Sequence, residues 1–196
     1  MRLGCRAMRH LVTAALAALT LAAGACAPYP APPPPLPPEL PPPPPPPPPE
    51  RPTPPGAFRA NDYTWSAVPG TNRIDGRVLF RSRGVAYTCS GSSVVVMPEG
   101  EWTIRRMMTL YGSANSAAIP SAEARRRTPA PPPPEFNAFV KTASCDAANR
   151  FSVTRLPDGA WFVITVARPV QGQQGDEMAL MRRVVTRGGQ VTAVDF

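Results

Sequence analysis

The sequence predicts an all-β fold over residues 56–196: a single Greek-key-type β-sandwich with one short helix inserted, behind a signal peptide and a polyproline linker. Three observations carry that reading. Short runs rich in Val, Ile, Phe and Thr recur here, and the clearest of them alternates apolar with polar residues, the period of a strand. Gly, Pro, Asn and Asp cluster between the runs, which is turn chemistry. A single stretch carries the 3–4 spacing of a helix.

The elements follow in chain order. Arg2, Arg6 and Arg9 come first with no acidic residue, then the apolar run 11–21 (LVTAALAALTL), then small residues up to Cys26. That is the order of a secretory signal over residues 1–25. The run is shorter than the roughly 20 apolar residues that span a bilayer. Ala23-Gly24-Ala25-Cys26 resembles the lipobox of bacterial lipoproteins, in which the Cys carries diacylglycerol and becomes the mature N-terminus, although Ala23 stands where Leu is usual. The same residues fit ordinary secretion through an A-x-A site, and both routes stay open. A lone Cys between small residues and a linker favours a lipid anchor at Cys26, and by that resemblance Ala27 implies outer-membrane retention.

The linker occupies residues 26–55. Between positions 28 and 55, 20 of 28 residues are proline, with an unbroken run over 41–49. Proline fixes φ and donates no hydrogen bond, so the tract is expected in polyproline II. At about 3.1 Å per residue it would reach roughly 85 Å, against about 30 Å for a flexible coil of that length. Such a spacer suits holding a domain away from a membrane.

From Gly56 onward, 141 residues suffice for one cored domain. Segments 74–81 (IDGRVLFR) and 85–89 flank Ser82-Arg83-Gly84, a hairpin-length break. Segment 93–97 (SVVVM) is a short β-branched run stopped by Pro98. Segment 150–155 alternates, with Phe151 and Val153 on one face. Leu156-Pro157-Asp158-Gly159 is a turn, and 160–167 (AWFVITVA) reads as a largely buried strand. Segments 177–186 and 190–194 flank Arg187-Gly188-Gly189 and are expected to pair as a final hairpin. Two insertions interrupt the strands. In Glu101–Tyr111, Ile104, Met107, Met108 and Tyr111 recur at helical spacing and Gly112 suits a stop, so this stripe is expected to pack on the sandwich, with a ligand groove as its alternative. Residues 112–135 show no hydrophobic period and carry Pro129 and Pro131 to Pro134, and are expected to form a flexible surface excursion.

Thr142-Ala143-Ser144-Cys145-Asp146-Ala147-Ala148-Asn149-Arg150-Phe151-Ser152-Val153, then Leu156-Pro157-Asp158-Gly159-Ala160-Trp161-Phe162-Val163, resembles the signature of carboxypeptidase regulatory-like domains and the related collagen-adhesin B-type and transthyretin-like sandwiches. Asp75-Gly76-Arg77-Val78 is similar to their opening strand, and Cys89-Ser90-Gly91 with Val94 to Pro98 to the strand that follows in envelope members. Asn149 stands where Gly is usual, at a position needing φ > 0, and Trp161 replaces Tyr. The resemblance implies a stalk, scaffold or binding module rather than a peptidase. The isopeptide-forming relatives place a Lys on the opening strand, where this chain has Arg77, so no such crosslink is expected.

Composition limits the chemistry. The formal charge of +8 falls to +5 once the three signal arginines are removed, and Lys141 is the only lysine. Arg125-Arg126-Arg127 reads as solvated surface, with anionic headgroups or glycans as its functional alternative. Nucleic acid is not expected for an exported chain. The only histidine, His10, leaves with the signal, so Ser-His and Cys-His nucleophile pairs and imidazole metal sites have no side chain to use. No catalytic residue, metal or cofactor is therefore expected. Cys89 and Cys145 form an even pair in an oxidising compartment and are read first as a disulfide, with two buried thiols as the alternative. Tyr63, Trp65, Trp102 and Tyr111 lie in less regular segments, as ligand platforms or as covers of the core edge. The leading expectation is a non-enzymatic lipoprotein, membrane-anchored through its lipid, displaying a sandwich for structural support or contact with an envelope protein. The alternative is a module that binds peptidoglycan or lipopolysaccharide.

Overall fold

A computed structural model describes residues 56–196; the expected signal peptide, the Cys26 lipidation site and the 26–55 linker lie outside the described residues. After a 3-10 turn (Ala60–Tyr63) and α1 (Thr64–Ala67) come β1 (Asn72–Arg77), β2 (Arg81–Ser82), β3 (Val85–Thr88) and β4 (Ser93–Pro98). Next are α2 (Glu101–Tyr111), β5 (Ser116–Pro120), α3 (Ser121–Arg126) and a second 3-10 turn (Pro134–Phe139). The chain closes with β6 (Lys141–Ser144), β7 (Arg150–Leu156), β8 (Gly159–Pro169), β9 (Met178–Thr186) and β10 (Val191–Asp195). The fold is predominantly β. Three strands in the order β10-β1-β7 make one sheet, and the other seven make a larger sheet in which β8 pairs with β3 and β4 on one side and β9 on the other.

The two sheets share a core. Ile74, Phe151, Val153, Leu156 and Val194 of the small sheet meet Val94, Val96, Trp161, Val163 and Leu180 of the large one. The alternation along β8 explains the layering. Trp161 and Val163 face this core, whereas Phe162 is buried on the opposite face against Met107 and Met181. A strand apolar on both faces needs cover on both, and α2 supplies the second cover. Within the first core the Trp161 indole N–H donates to Thr186 Oγ1 (3.0 Å), and that hydroxyl donates to the Pro157 carbonyl (2.7 Å). A buried polar group is tolerable when paired in this way.

Four expectations are corrected. Helix content is not one insertion, because α1 and α3 are present besides α2. Residues 112–135 are not an unstructured excursion. They contain β5, whose residues Ser116 to Pro120 pair with Arg182 to Met178 of β9, and then α3. The third correction concerns β10, which does not form a hairpin with β9 but lies parallel to β1. Both edges of β9 are already occupied, by β8 and β5. Gly188 and Gly189, at φ 63° and 72°, turn the chain away from it. Buried Asn72 then receives the chain, its Oδ1 accepting the Gln190 N–H (3.1 Å) while its amide donates to Leu156 O and Asp158 Oδ1. Lastly, Met108 of the expected packing stripe is 49% exposed, while Met107 is fully buried.

Other readings hold. The expected hairpin of 74–81 with 85–89 holds only at its turn: β1 belongs to the small sheet, and the two-residue β2 pairs with β3 across Arg83 (φ 49°) and Gly84 (φ 82°). Asn149 has φ 60°, in a turn where Asp146 Oδ1 accepts the N–H groups of Ala148 and Arg150 at 2.8 Å each. Asn149 Oδ1 also accepts from the Thr88 hydroxyl (2.6 Å) and the Cys89 N–H (3.1 Å), tying this turn to the end of β3. Beside it Cys89 and Cys145 form a disulfide with Cα atoms 5.7 Å apart, both residues buried.

The Cys89→Ser/Cys145→Ser variant is expected to lose about 2–5 kcal/mol, because its unfolded chain is freed of a long closed loop. A urea midpoint unchanged from the oxidised protein would contradict this. At Gly76 a Cβ would meet the Phe151 ring at 1.8 Å. Gly76→Ala is expected to cost about 1–3 kcal/mol by overpacking, read as a lowered thermal midpoint. Gly91→Ala has open space and meets no such ring, so its cost comes only from φ +73°.

Candidate functional site

α2 begins at an extended Gly100, whose N–H donates to Thr103 Oγ1 (2.8 Å). A side chain at Gly100 would strike the Tyr63 ring at 2.7 Å, so glycine lets the helix start against that ring. The helix ends at Gly112, which takes the left-handed conformation and donates to the Met108 carbonyl. With Met107 driven into the core, the residues on the opposite side of α2 are set: Trp102, Arg105, Arg106 and Thr109.

These residues line an open groove of about 380 Å³, completed by Gly56 and Phe58 and by Pro129, Ala130, Pro131 and Pro133. Its size falls within the range of small-ligand sites, about 300–1,000 Å³. Trp102 stands edge-on to Phe136 (4.9 Å between centroids) and to Phe58 (5.6 Å). Behind them Tyr63, stacked on Phe58 and packed on Phe136 and Phe139, is fully buried. The groove thus has an aromatic floor held rigid by a small core of its own. The Arg106 guanidinium lies 5.4 Å from the centre of the Trp102 ring and donates to the Ala130 carbonyl (2.9 Å), fixing the proline segment to the helix. Burial pulls the Arg106 pKa below its usual value, opposed by Tyr111; burial likewise raises the phenol of Tyr111, against the pull of Arg106. Burial also raises Tyr63, whose hydroxyl accepts the Thr103 N–H (3.3 Å).

The four aromatics singled out in the sequence do not form one face. Tyr63 is buried, and Trp65 is half-buried edge-on to Trp161 at 5.0 Å, as part of the main core. Tyr111 is half-buried in the cluster around Met107. Trp102 alone of the four lines the groove. Phe58, Arg106 and the 129–133 segment were not marked by the sequence reading. Contacts between positions 58, 106 and 130 join residues far apart in sequence and have no local signature.

A second concavity, an open trough of about 580 Å³, lies on the outer face of the small sheet. Its walls are Asp75, Arg77, Asp146, Arg150, Ser152 and Asp195. Most of these charges are satisfied by neighbours. Asp75 holds Arg73 (2.7 Å) and the Ser152 hydroxyl, Arg77 reaches Asp195 at 3.4 Å, and Asp146 caps its turn. The expected basic cluster is partly paired too, Arg125 with Glu177 and Arg127 with Glu123. Among the described residues no group of three or more His, Cys, Asp or Glu is placed to hold a metal ion, and no helix is long and apolar enough to cross a membrane.

Comparison with known proteins bears on the fold. No family model matches the sequence, and no curated protein matches it. Among solved structures, a "putative carbohydrate binding protein" from Pseudomonas aeruginosa is similar, with TM-score 0.51 and 18% identity over 71% of this chain and 97% of that one. At that identity the chain shares a β-rich architecture with this structure, and the likeness extends over nearly the whole of the neighbour.

Proposed function

We propose that this chain is an exported, non-enzymatic envelope lipoprotein that holds a carboxypeptidase regulatory-like β-sandwich on a stiff proline spacer and binds envelope glycan in the α2 groove. The observation that carries the ligand is Trp102, an aromatic ring clamped by two others and bordering an open groove with guanidinium groups on its rim. A pyranose offers an apolar face of C–H groups and an edge of hydroxyls, and such a floor and rim suit both. The carbohydrate-binding designation of the Pseudomonas neighbour supports the same ligand class. The buried disulfide accords with an oxidising, extracytoplasmic compartment. Absence of histidine beyond His10 supports a role without a reacting group. A display role in structural support or protein contact shares every part of this reading except the groove, and binding separates the two.

Sedimentation with purified peptidoglycan and with lipopolysaccharide is expected to pull down the mature protein. Trp102→Ala is expected to weaken that binding about tenfold or more, a loss of about 1.4 kcal/mol per decade. Trp65→Ala should lower the unfolding midpoint yet leave the affinity of the folded protein unchanged. No sedimentation with either polymer, together with capture of a protein by crosslinking in cells, would favour the display role. For the anchor, mass spectrometry of the mature N-terminus is expected to find a diacylglyceryl group on Cys26; a free thiol there would remove it.

A further inference from the structure

Two arginines among the described residues are partly withdrawn from solvent, Arg183 and Arg106. Arg183 has a counter-ion, Glu99, which it grips through both Nε and Nη2, and that hydrogen bond raises its pKa. Arg106 has no carboxylate among the described residues: its guanidinium donates to the Ala130 carbonyl, lies over the Trp102 ring and is near the Tyr111 phenol. Withdrawing a cation from water without a carboxylate is unfavourable. A carbonyl and an aromatic face offset part of that cost. A guanidinium has five N–H donors, and Arg106 places one of them on Ala130. The carboxylate on the same helix, Glu101, is held by Arg105 at 2.6 Å and also faces Arg59 at 4.0 Å. The rim of the groove is therefore cationic where it meets the aromatic floor. The contrast with the trough on the small sheet is direct, since Asp75 there pairs with Arg73 and Arg77 with Asp195, all of them exposed side chains.

We infer that the α2 groove selects an anionic sugar, stacking the apolar face of a pyranose on Trp102 and docking its carboxylate or phosphate on the Arg106 guanidinium. This rests on the glycan reading above and names the class of glycan. A planar guanidinium presents paired N–H groups that match either oxyanion. Both sources share that chemistry: uronate residues in an acidic polysaccharide, and the phosphorylated glucosamine disaccharide at the lipid end of lipopolysaccharide. The anion would supply the charge that the protein itself withholds from Arg106. Holding the proline segment through Ala130 is the purely structural role of the same side chain, and the test has to part the two.

The mature chain, purified in detergent, is titrated with trigalacturonate, with a glucosamine disaccharide bisphosphate and with neutral chitotriose, following Trp fluorescence and heat. At least one anionic probe is expected to bind about tenfold more tightly than chitotriose, with an advantage that shrinks as salt is raised. The arm that binds identifies the source as uronate or phosphate. Arg106→Gln keeps a donor for the Ala130 carbonyl and is expected to abolish the anionic advantage, bringing the anionic probes to the affinity that the same variant shows for chitotriose, with the thermal midpoint in place. Arg106→Lys should keep part of the advantage. Equal affinity for chitotriose and both anions overturns this inference and leaves the glycan reading standing. Loss of all three probes in Arg106→Gln, with a lowered midpoint, assigns Arg106 the structural role and also overturns it. Failure of every probe to bind the unaltered chain overturns both.

Discussion

β8 is buried on both faces, and the rest of the molecule is arranged to satisfy that. On one side Trp161 and Val163 face the small sheet; on the other Phe162 lies under Met107 of α2 and beside Met181 of β9. At about 25 cal/mol per Å² of apolar surface, leaving either face in water would forfeit several large side chains' worth of stability. A two-layer sandwich could cover only one face. The helical layer is thus a requirement of the core, and its inward residue, Met107, decides which residues point outward. Trp102 and Arg106 occupy their positions because Met107 occupies its own.

This hierarchy separates what the sequence reveals from what it hides. α2 and the strands β7 and β8 were legible because burial had written a period into them: alternation at Phe151 and Val153, a continuous apolar run from Trp161, 3–4 spacing in the helix. β5 was not, because its residues Ser116, Ala117 and Ala118 are small and its place is set by backbone pairing with β9. Pairing leaves no hydrophobic pattern. The partner of β10 was misjudged for a related reason. A turn signal at Gly188 and Gly189 says that the chain reverses and not which strand it meets, and the deciding group, Asn72, is over a hundred residues away.

The candidate site shows the same division. Sequence could name Tyr63 and Trp102 as aromatic residues in irregular segments, yet one is sealed beneath Phe58 and Phe136 and the other borders the groove. Their difference arises from contacts made by residues 136 and 139, beyond a proline-rich segment that had looked structureless. That segment contributes a wall of the groove and the carbonyl that holds Arg106. Charges elsewhere on the surface are mostly exposed pairs, each worth about 0–1 kcal/mol and readily replaced by water. A half-buried cation lacking a carboxylate differs in kind, because a ligand can supply what the protein lacks.

The most direct test of where this molecule does its work is amide and indole chemical-shift mapping of the labelled mature protein with an acidic oligosaccharide. Binding in the α2 groove predicts that the Trp102 indole, the Arg106 side chain and the Ala130 amide shift together, with the small sheet unmoved. Shifts confined to Arg77, Arg150 and Ser152 would place the ligand in the trough and contradict the assignment of the site.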